Sequence, residues 1–344
     1  MHWFKMNKKH IIFLLVYLVL LLFIAEFGFK YYLDSHAEKS FEVINYEFNY
    51  TMKINNNNFR DDEFTKEKTQ KRIFMIGDSM IHGSGVSNEY TIDKFMEKNS
   101  NYDVWNLAPY GASPIIYYKV AKKFRNYNPD IVIVNVYVDN DIQTWNRAYA
   151  KYLSSSITLL RALNNIRGQF QFGYDKNCEY AWVLDYEGDD FYKDLACRGL
   201  INPFYFQRAS FGDNEEYYEL LNKRFNTDDT TKKYILKIKE MYSDKPFFLV
   251  IHPSKYQVST ESFEELRKLG FIFGNNTLSR DIQDSIINWA NSEQIKFIDL
   301  LPELKEYNES LYHLIDGHYN IRGNEIVSEI IIKELKQIKN QQQR

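Results

Sequence analysis

This sequence predicts an α/β fold: a three-layer α/β/α sandwich around a central parallel sheet, preceded by one N-terminal transmembrane helix. Three observations carry that expectation. From Lys71 onward, short β-branched or aromatic runs alternate with stretches of helical periodicity; polar and glycine-bearing turns end those runs; and one charge-free apolar run stands near the N-terminus. Of 344 residues, 44% are hydrophobic and 26% charged, with 14 glycines and 7 prolines, which excludes a collagen-like, low-complexity or mostly disordered chain. Lys+Arg 43 against Asp+Glu 46 leaves a net charge of -3, so no basic field draws the chain to nucleic acid. Aromatic residues reach 17%, which reads as codon bias, with a sugar-stacking surface as the alternative.

Residues 1–10 read as a cytoplasmic N-terminus and residues 11–29 as the membrane anchor. Residues 11–25, IIFLLVYLVLLLFIA, carry no charge, and Phe27-Gly28-Phe29 extends the run past Glu26. As a helix, residues 11–29 would span roughly 28 Å, about one hydrocarbon core. Lys5, Lys8 and Lys9 precede the run, whereas Glu26, Asp34 and Glu38 mix with Lys30 after it. That bias places the rest of the chain outside, periplasmic or at the cell surface. A cleaved signal peptide is the rival reading, but no small-x-small cleavage site follows in AEFGFKYYLD. Export also bears on Cys178 and Cys197, which then face the oxidising side, where a disulfide between them would persist and stabilise by ~3 kcal/mol. Two unpaired buried thiols are the alternative.

Residues 30–70 are polar, carry the asparagine run Asn55 to Asn58, and read as a juxtamembrane stalk or a peripheral layer. The body is expected over 71–338. Its strands are residues 72–76 (RIFMI), 103–107 (DVWNL), 130–138 (DIVIVNVYV), 246–251 (PFFLVI) and 296–300 (KFIDL). Helical periodicity marks residues 115–127, 231–242, 281–292 and 323–338. Between 145 and 230 the rhythm lapses, which reads as an insertion, and 339–344 form a polar tail.

In parallel α/β sheets, ligands sit at the carboxyl ends of the strands. The first strand ends in Gly77-Asp78-Ser79, the second in Asn106 to Gly111, the third in Asp139-Asn140-Asp141, and Asp316-Gly317-His318 precedes the last helix. A serine, a histidine, a carboxylate, an amide and a flexible glycine on one edge form the inventory for acyl transfer through a covalent serine ester. Ser79 needs a base to take its proton, and His318 supplies it. A carboxylate would fix the ring tautomer and steady the imidazolium that forms. Of the other histidines, His82 lines the pocket mouth and His252 faces the cleft after its strand. These two, with Trp182 in the insertion, are candidate substrate contacts, while His313 reads as a loop residue. No HExxH or paired-cysteine spacing appears, so neither a metal nor a cofactor is expected.

These blocks resemble those of the SGNH (GDSL-type) hydrolases, whose sheet is flavodoxin-like. Gly77-Asp78-Ser79, with Gly83 and Gly85 behind it, looks like the first block and Asn106 to Gly111 like the second; Asn140-Asp141 is similar to half of the third; His318 with Asn320 and Gly323 looks like the last. The resemblance implies an oxyanion hole made by the amides of Ser79 and Gly111 and the side chain of Asn140. Two positions depart from the pattern. Val138 stands where the third block opens with glycine, and Ile315 where the last block places its aspartate, leaving Asp316 two residues before the histidine. Either Asp316 reaches the ring through a tighter turn, or another carboxylate or a backbone carbonyl orients it. The expected function is a membrane-anchored, outward-facing serine esterase or O-acyltransferase acting on an acylated glycan or lipid ester of the cell envelope. A non-catalytic glycan-binding protein on the same scaffold is the alternative.

Overall fold

The computed structural model describes residues 8–36, 39–44, 48–142, 214–260, 264, 279–313 and 316–342. Helix α1 (Lys8–His36) leads into an antiparallel hairpin of β1 (Ser40–Ile44) and β2 (Asn49–Lys53). The body follows as β3 (Lys71–Ile76), α2 (Ser79–His82), α3 (Ile92–Lys98), β4 (Tyr102–Leu107), α4 (Pro114–Phe124) and β5 (Ile131–Tyr137). After residues 143–213 come α5 (Asn214–Thr227), α6 (Thr230–Met241), β6 (Phe247–His252), α7 (Lys255–Val258), α8 (Asp281–Ser292), β7 (Lys296–Asp299), α9 (Leu301–Leu304) and α10 (Ile321–Gln342).

β3 to β7 form one parallel sheet in the order β4-β3-β5-β6-β7. This is the flavodoxin-like winding, in which the chain reverses direction between its first and third strands and opens a crevice there. Strand side chains alternate between faces, and both faces are apolar. Phe74 and Ile76 pack with α4, α6 and α8 through Tyr117, Phe124, Ile238 and Ile286. Ile73 and Met75 pack with α3 and α10 through Ile92, Met96, Val327 and Ile330. The three-layer α/β expectation therefore holds among the described residues.

Two stretches are packed more closely than their composition suggests. Of the two readings of residues 30–70, stalk or peripheral layer, residues 39–44 and 48–66 fit the layer. The Ile54 amide donates to the Lys39 carbonyl at 2.9 Å, and Asn55, Phe59, Arg60 and Asp61 are buried. The asparagine run is a turn: Asn55 Oδ1 accepts from the amides of Asn57 and Phe59 at 2.9 and 3.0 Å, and Asn58 takes the left-handed conformation that asparagine tolerates. The expected insertion also ends sooner. α5 belongs to the body, with Leu221 and Phe225 in the core and Phe225 edge-on to Trp289 at 5.8 Å. Trp182, Cys178 and Cys197 lie outside the described residues.

Side chains of α1 are described at residues 9–10 and over the stretch 13–28, and those from Phe13 to Ile24 are exposed. That stretch is roughly 24 Å long as a helix. Among the described residues, no helix is long and apolar enough to cross a membrane.

Candidate active site

Ser79 opens α2 directly after β3 and is 6% exposed. The turn that places it needs a glycine at 77, because a Cβ there would lie 2.7 Å from Ile81 Cγ1 and 3.2 Å from Asn135 Cβ. Asp78 caps α2 by accepting from the Met80 amide at 3.0 Å. Its second oxygen accepts from Asn140 Nδ2 at 2.8 Å. That bond joins the turns that follow β3 and β5 and fixes the direction of the Asn140 amide. The neighbouring carboxylates serve the fold: Asp141 accepts from Tyr117 Oη and the Tyr137 amide, and Asp139 from Tyr137 Oη. Gly111, in the turn after β4, has φ +63° and nothing within 4 Å of where a Cβ would stand. Asn106 is a brace, donating to the Ile81 carbonyl and to Asp93, both at 2.7 Å.

Val138 raises no conflict in place of glycine. Its amide donates to the His252 carbonyl at 3.2 Å, continuing β5, and its φ is not positive.

The histidine loop is closed at its neck, where the His313 amide donates to the His318 carbonyl at 3.0 Å and the Asn320 amide to the Leu311 carbonyl at 3.1 Å. Inside it the tighter turn is present. Asp316 Oδ1 accepts from the His318 amide at 3.0 Å and contacts His318 Nδ1. Burial alone would raise the Asp316 carboxyl. The charge of His318 and the two hydrogen bonds from it outweigh that and hold the carboxyl down at about 2. Gly317 packs against Tyr137 Oη at the end of β5, and Lys255 Nζ donates to the His313 carbonyl at 3.2 Å, tying the loop to the sheet edge. The serine and histidine loops touch at Gly85, whose φ is +92° and where a Cβ would collide with the His313 ring. His318 is buried, 9% exposed.

His82 is buried, its ring edge-on to that of Tyr110 with centroids 5.9 Å apart. Burial, then the charges of Arg60 and His318, push it down to about 3, so it is neutral at pH 7. His252 is a correction. β6 runs one residue further than its sequence pattern indicates, so His252 pairs with Tyr137 inside the sheet and is 0% exposed. Asn135 Nδ2 donates to the Ile76 carbonyl at 3.1 Å, which turns Asn135 Oδ1 toward His252 Nε2 at 3.0 Å. With that nitrogen protonated, Nδ1 faces Tyr319 Oη at 3.3 Å, and no ring nitrogen is left for substrate.

Sequence reasoning missed Arg60. Its buried guanidinium donates to the carbonyls of His82, Gly83 and Val86 and to Asn88 Oδ1, clamping the loop that follows Ser79. Burial lowers its pKa to about 10, against the raising charges of Tyr50, Asp93 and Glu89, so it stays charged at neutral pH. Arg60→Ala leaves those carbonyls without a donor and is expected to destabilise the fold by about 3 kcal/mol. Urea unfolding checks this, and a loss under about 1 kcal/mol would show the clamp to be dispensable. Among the described residues, no three His, Cys, Asp or Glu side chains converge as metal ligands.

No protein-family model matches this chain, and no curated protein matches it by sequence. Solved structures similar to it include the periplasmic domain of a lipopolysaccharide acetyltransferase from Salmonella ser. Paratyphi A, at 12% identity and a TM-score of 0.38, covering 78% of this chain and 85% of that one. A member of the lipolytic protein G-D-S-L family from Veillonella parvula shows 12% identity and a TM-score of 0.36, covering 76% of this chain and 97% of that one. A carbohydrate esterase family 2 enzyme from Corynascus thermopiles shows 14% identity and a TM-score of 0.36, covering 79% of this chain and 67% of that one. Likenesses this distant lend the site no argument of their own, and the case for its chemistry rests on the residues above.

Proposed function

We propose that this protein is a membrane-anchored, outward-facing serine esterase or O-acyltransferase whose nucleophile is Ser79, base His318 and orienting carboxylate Asp316. The observation that carries the reading is the Asp316–His318 pair on a loop that touches the Ser79 loop at Gly85. In the first step Ser79 Oγ bonds to the ester carbonyl carbon while its proton passes to His318 Nε2. The amides of Ser79 and Gly111 and the Asn140 side chain meet the oxyanion, where losing one donor costs ~3 kcal/mol. Collapse breaks the bond to the leaving alkoxide, which takes the proton from His318 and leaves an acyl-serine. Water or a sugar hydroxyl then repeats the sequence in reverse.

The apolar run of α1, behind Lys5, Lys8 and Lys9, supports tethering with the body outside. An enzyme held at that surface meets acylated envelope glycans or lipid esters, with small acyl groups such as acetyl first among them. A fluorophosphonate probe tests the core: the wild-type chain should be labelled covalently and Ser79→Ala should not. Equal labelling of both would remove Ser79 as the nucleophile. Absence of any turnover of short p-nitrophenyl esters, with saturable glycan binding, would favour the non-catalytic reading instead.

A further inference from the structure

Alternation along β5 and β6 sets Asn135 between Ile133 and Tyr137, and His252 two places after Val250, on the sheet face that α3 and α10 cover. Both are fully buried in that apolar layer, where a valine or a phenylalanine would pack without desolvating an amide or an imidazole. Their polar atoms are bonded end to end. Tyr319 Oη lies 3.3 Å from His252 Nδ1, His252 Nε2 lies 3.0 Å from Asn135 Oδ1, and Asn135 Nδ2 donates to the Ile76 carbonyl at 3.1 Å. Because the Asn135 nitrogen is committed to a carbonyl, the donors all point one way, from Tyr319 to His252, from His252 to Asn135 and from Asn135 to Ile76. Hydrogen bonds aligned in this sense polarise one another.

Each end of the chain meets one of the two catalytic loops. Ile76 stands three residues before Ser79, and Asn135 Cβ packs on Gly77, 3.2 Å from where a Cβ would stand there. Tyr319 follows His318 directly and bridges to Tyr312 at the neck of the histidine loop. Its ring lies 4.6 Å from that of Tyr312, whose hydroxyl donates to the Pro253 carbonyl at 3.1 Å. The two loops come from distant parts of the sequence, so tertiary bonds such as these set their separation.

We propose that Tyr319, His252 and Asn135 are positioning residues for acyl transfer, holding the backbone of His318 at a fixed distance and direction from the Ser79 turn. The role rests on the serine-esterase reading. Proton transfer needs its heavy atoms within about 2.6–3.2 Å, and a misplacement of about 1 Å can slow the chemistry about a hundredfold.

The test uses the full chain in detergent. Tyr319→Phe keeps the ring and deletes one bond. It is expected to lower kcat on p-nitrophenyl acetate at least about tenfold with KM within about twofold, and to slow fluorophosphonate labelling of Ser79 by the same factor. Asn135→Ala is expected to act in the same direction, and the two changes together to cost no more than the worse of them, because either one breaks the same chain. At position 252 a glutamine can accept from Tyr319 and donate to Asn135, so His252→Gln is expected to keep more of kcat than His252→Leu. Ile238→Ala, in the core of the other sheet face, is the control for lost stability: it is expected to lower the thermal midpoint at least as far and to leave kcat within about twofold. Wild-type kcat in Tyr319→Phe, a loss that falls on KM, or an equal loss of kcat in Ile238→Ala would overturn the positioning role and leave the esterase reading standing. A wild-type chain that neither turns over the ester nor takes the probe would sink the esterase reading, and this role with it.

Discussion

Ser79→Ala and His318→Ala are each expected to lower kcat on a short p-nitrophenyl ester by about a million-fold, and the double variant by no more than either alone. The two groups act on one proton. Without the imidazole the serine hydroxyl keeps that proton and is a poor nucleophile, and without the hydroxyl the imidazole has nothing to activate. The proposed hole of Gly111, Asn140 and the amide at 79 would still meet an oxyanion. The residual rate is therefore expected to stay ~10³-fold above water alone, through direct attack by water on the bound ester. Initial rates for the four proteins, corrected for the buffer reaction, decide the matter. Losses that multiply in the double variant would mean that the two residues serve different steps, and the acyl-serine mechanism would fall.

Much of the sheet was legible because its strands are buried on both faces and so read as unbroken β-branched runs; β5, with Ile131 to Val134 at its start, is the plainest case. Residues 281–292 were legible for the opposite reason: α8 alternates Ile282 and Ile286 with polar positions at helical spacing. Where reading stopped short, a local bond was responsible. α10 starts at Ile321, two residues before the periodicity shows, because Asn320 Oδ1 accepts from the Gly323 amide at 2.9 Å and nucleates the turn. The apolar run ends at Ile251, so nothing in it announces that His252 still pairs with Tyr137 and is enclosed within the sheet layers.

The site divides along the same line. Ser79, Asn140, Asp316 and His318 follow strands or precede a helix, so topology alone brings them to one edge. Arg60 and Tyr50 come from a polar segment with no periodicity, and their places are set by tertiary contacts. The Arg60 guanidinium stacks over the Tyr50 ring at 5.1 Å and reaches carbonyls more than twenty positions away. Nothing in the residues near Arg60 announces those partners.

Asp316→Asn is expected to lower kcat by about 10⁴-fold while the loop keeps its shape. The asparagine retains an oxygen at Oδ1 for the His318 amide, so the turn that lies two residues before the histidine survives. It has no charge to steady the imidazolium that forms when His318 takes the serine proton. A loss under tenfold would mean that another group orients the ring. The same carboxylate gives a second, independent reading through stability. Its folded pKa is about 2 against an ordinary 3.8, so near pH 3 the unfolded chain binds the proton more readily than the folded one. The carboxylate therefore contributes ~2 kcal/mol of stability that is fully present above pH ~4 and lost as pH falls through about 2. Urea unfolding at pH 7 is expected to separate Asp316→Asn from wild type by about that amount, and the gap is expected to close near pH 2. A gap that persists unchanged at low pH would show that the variant had broken the turn itself, and the kinetic loss would then no longer measure the orienting charge.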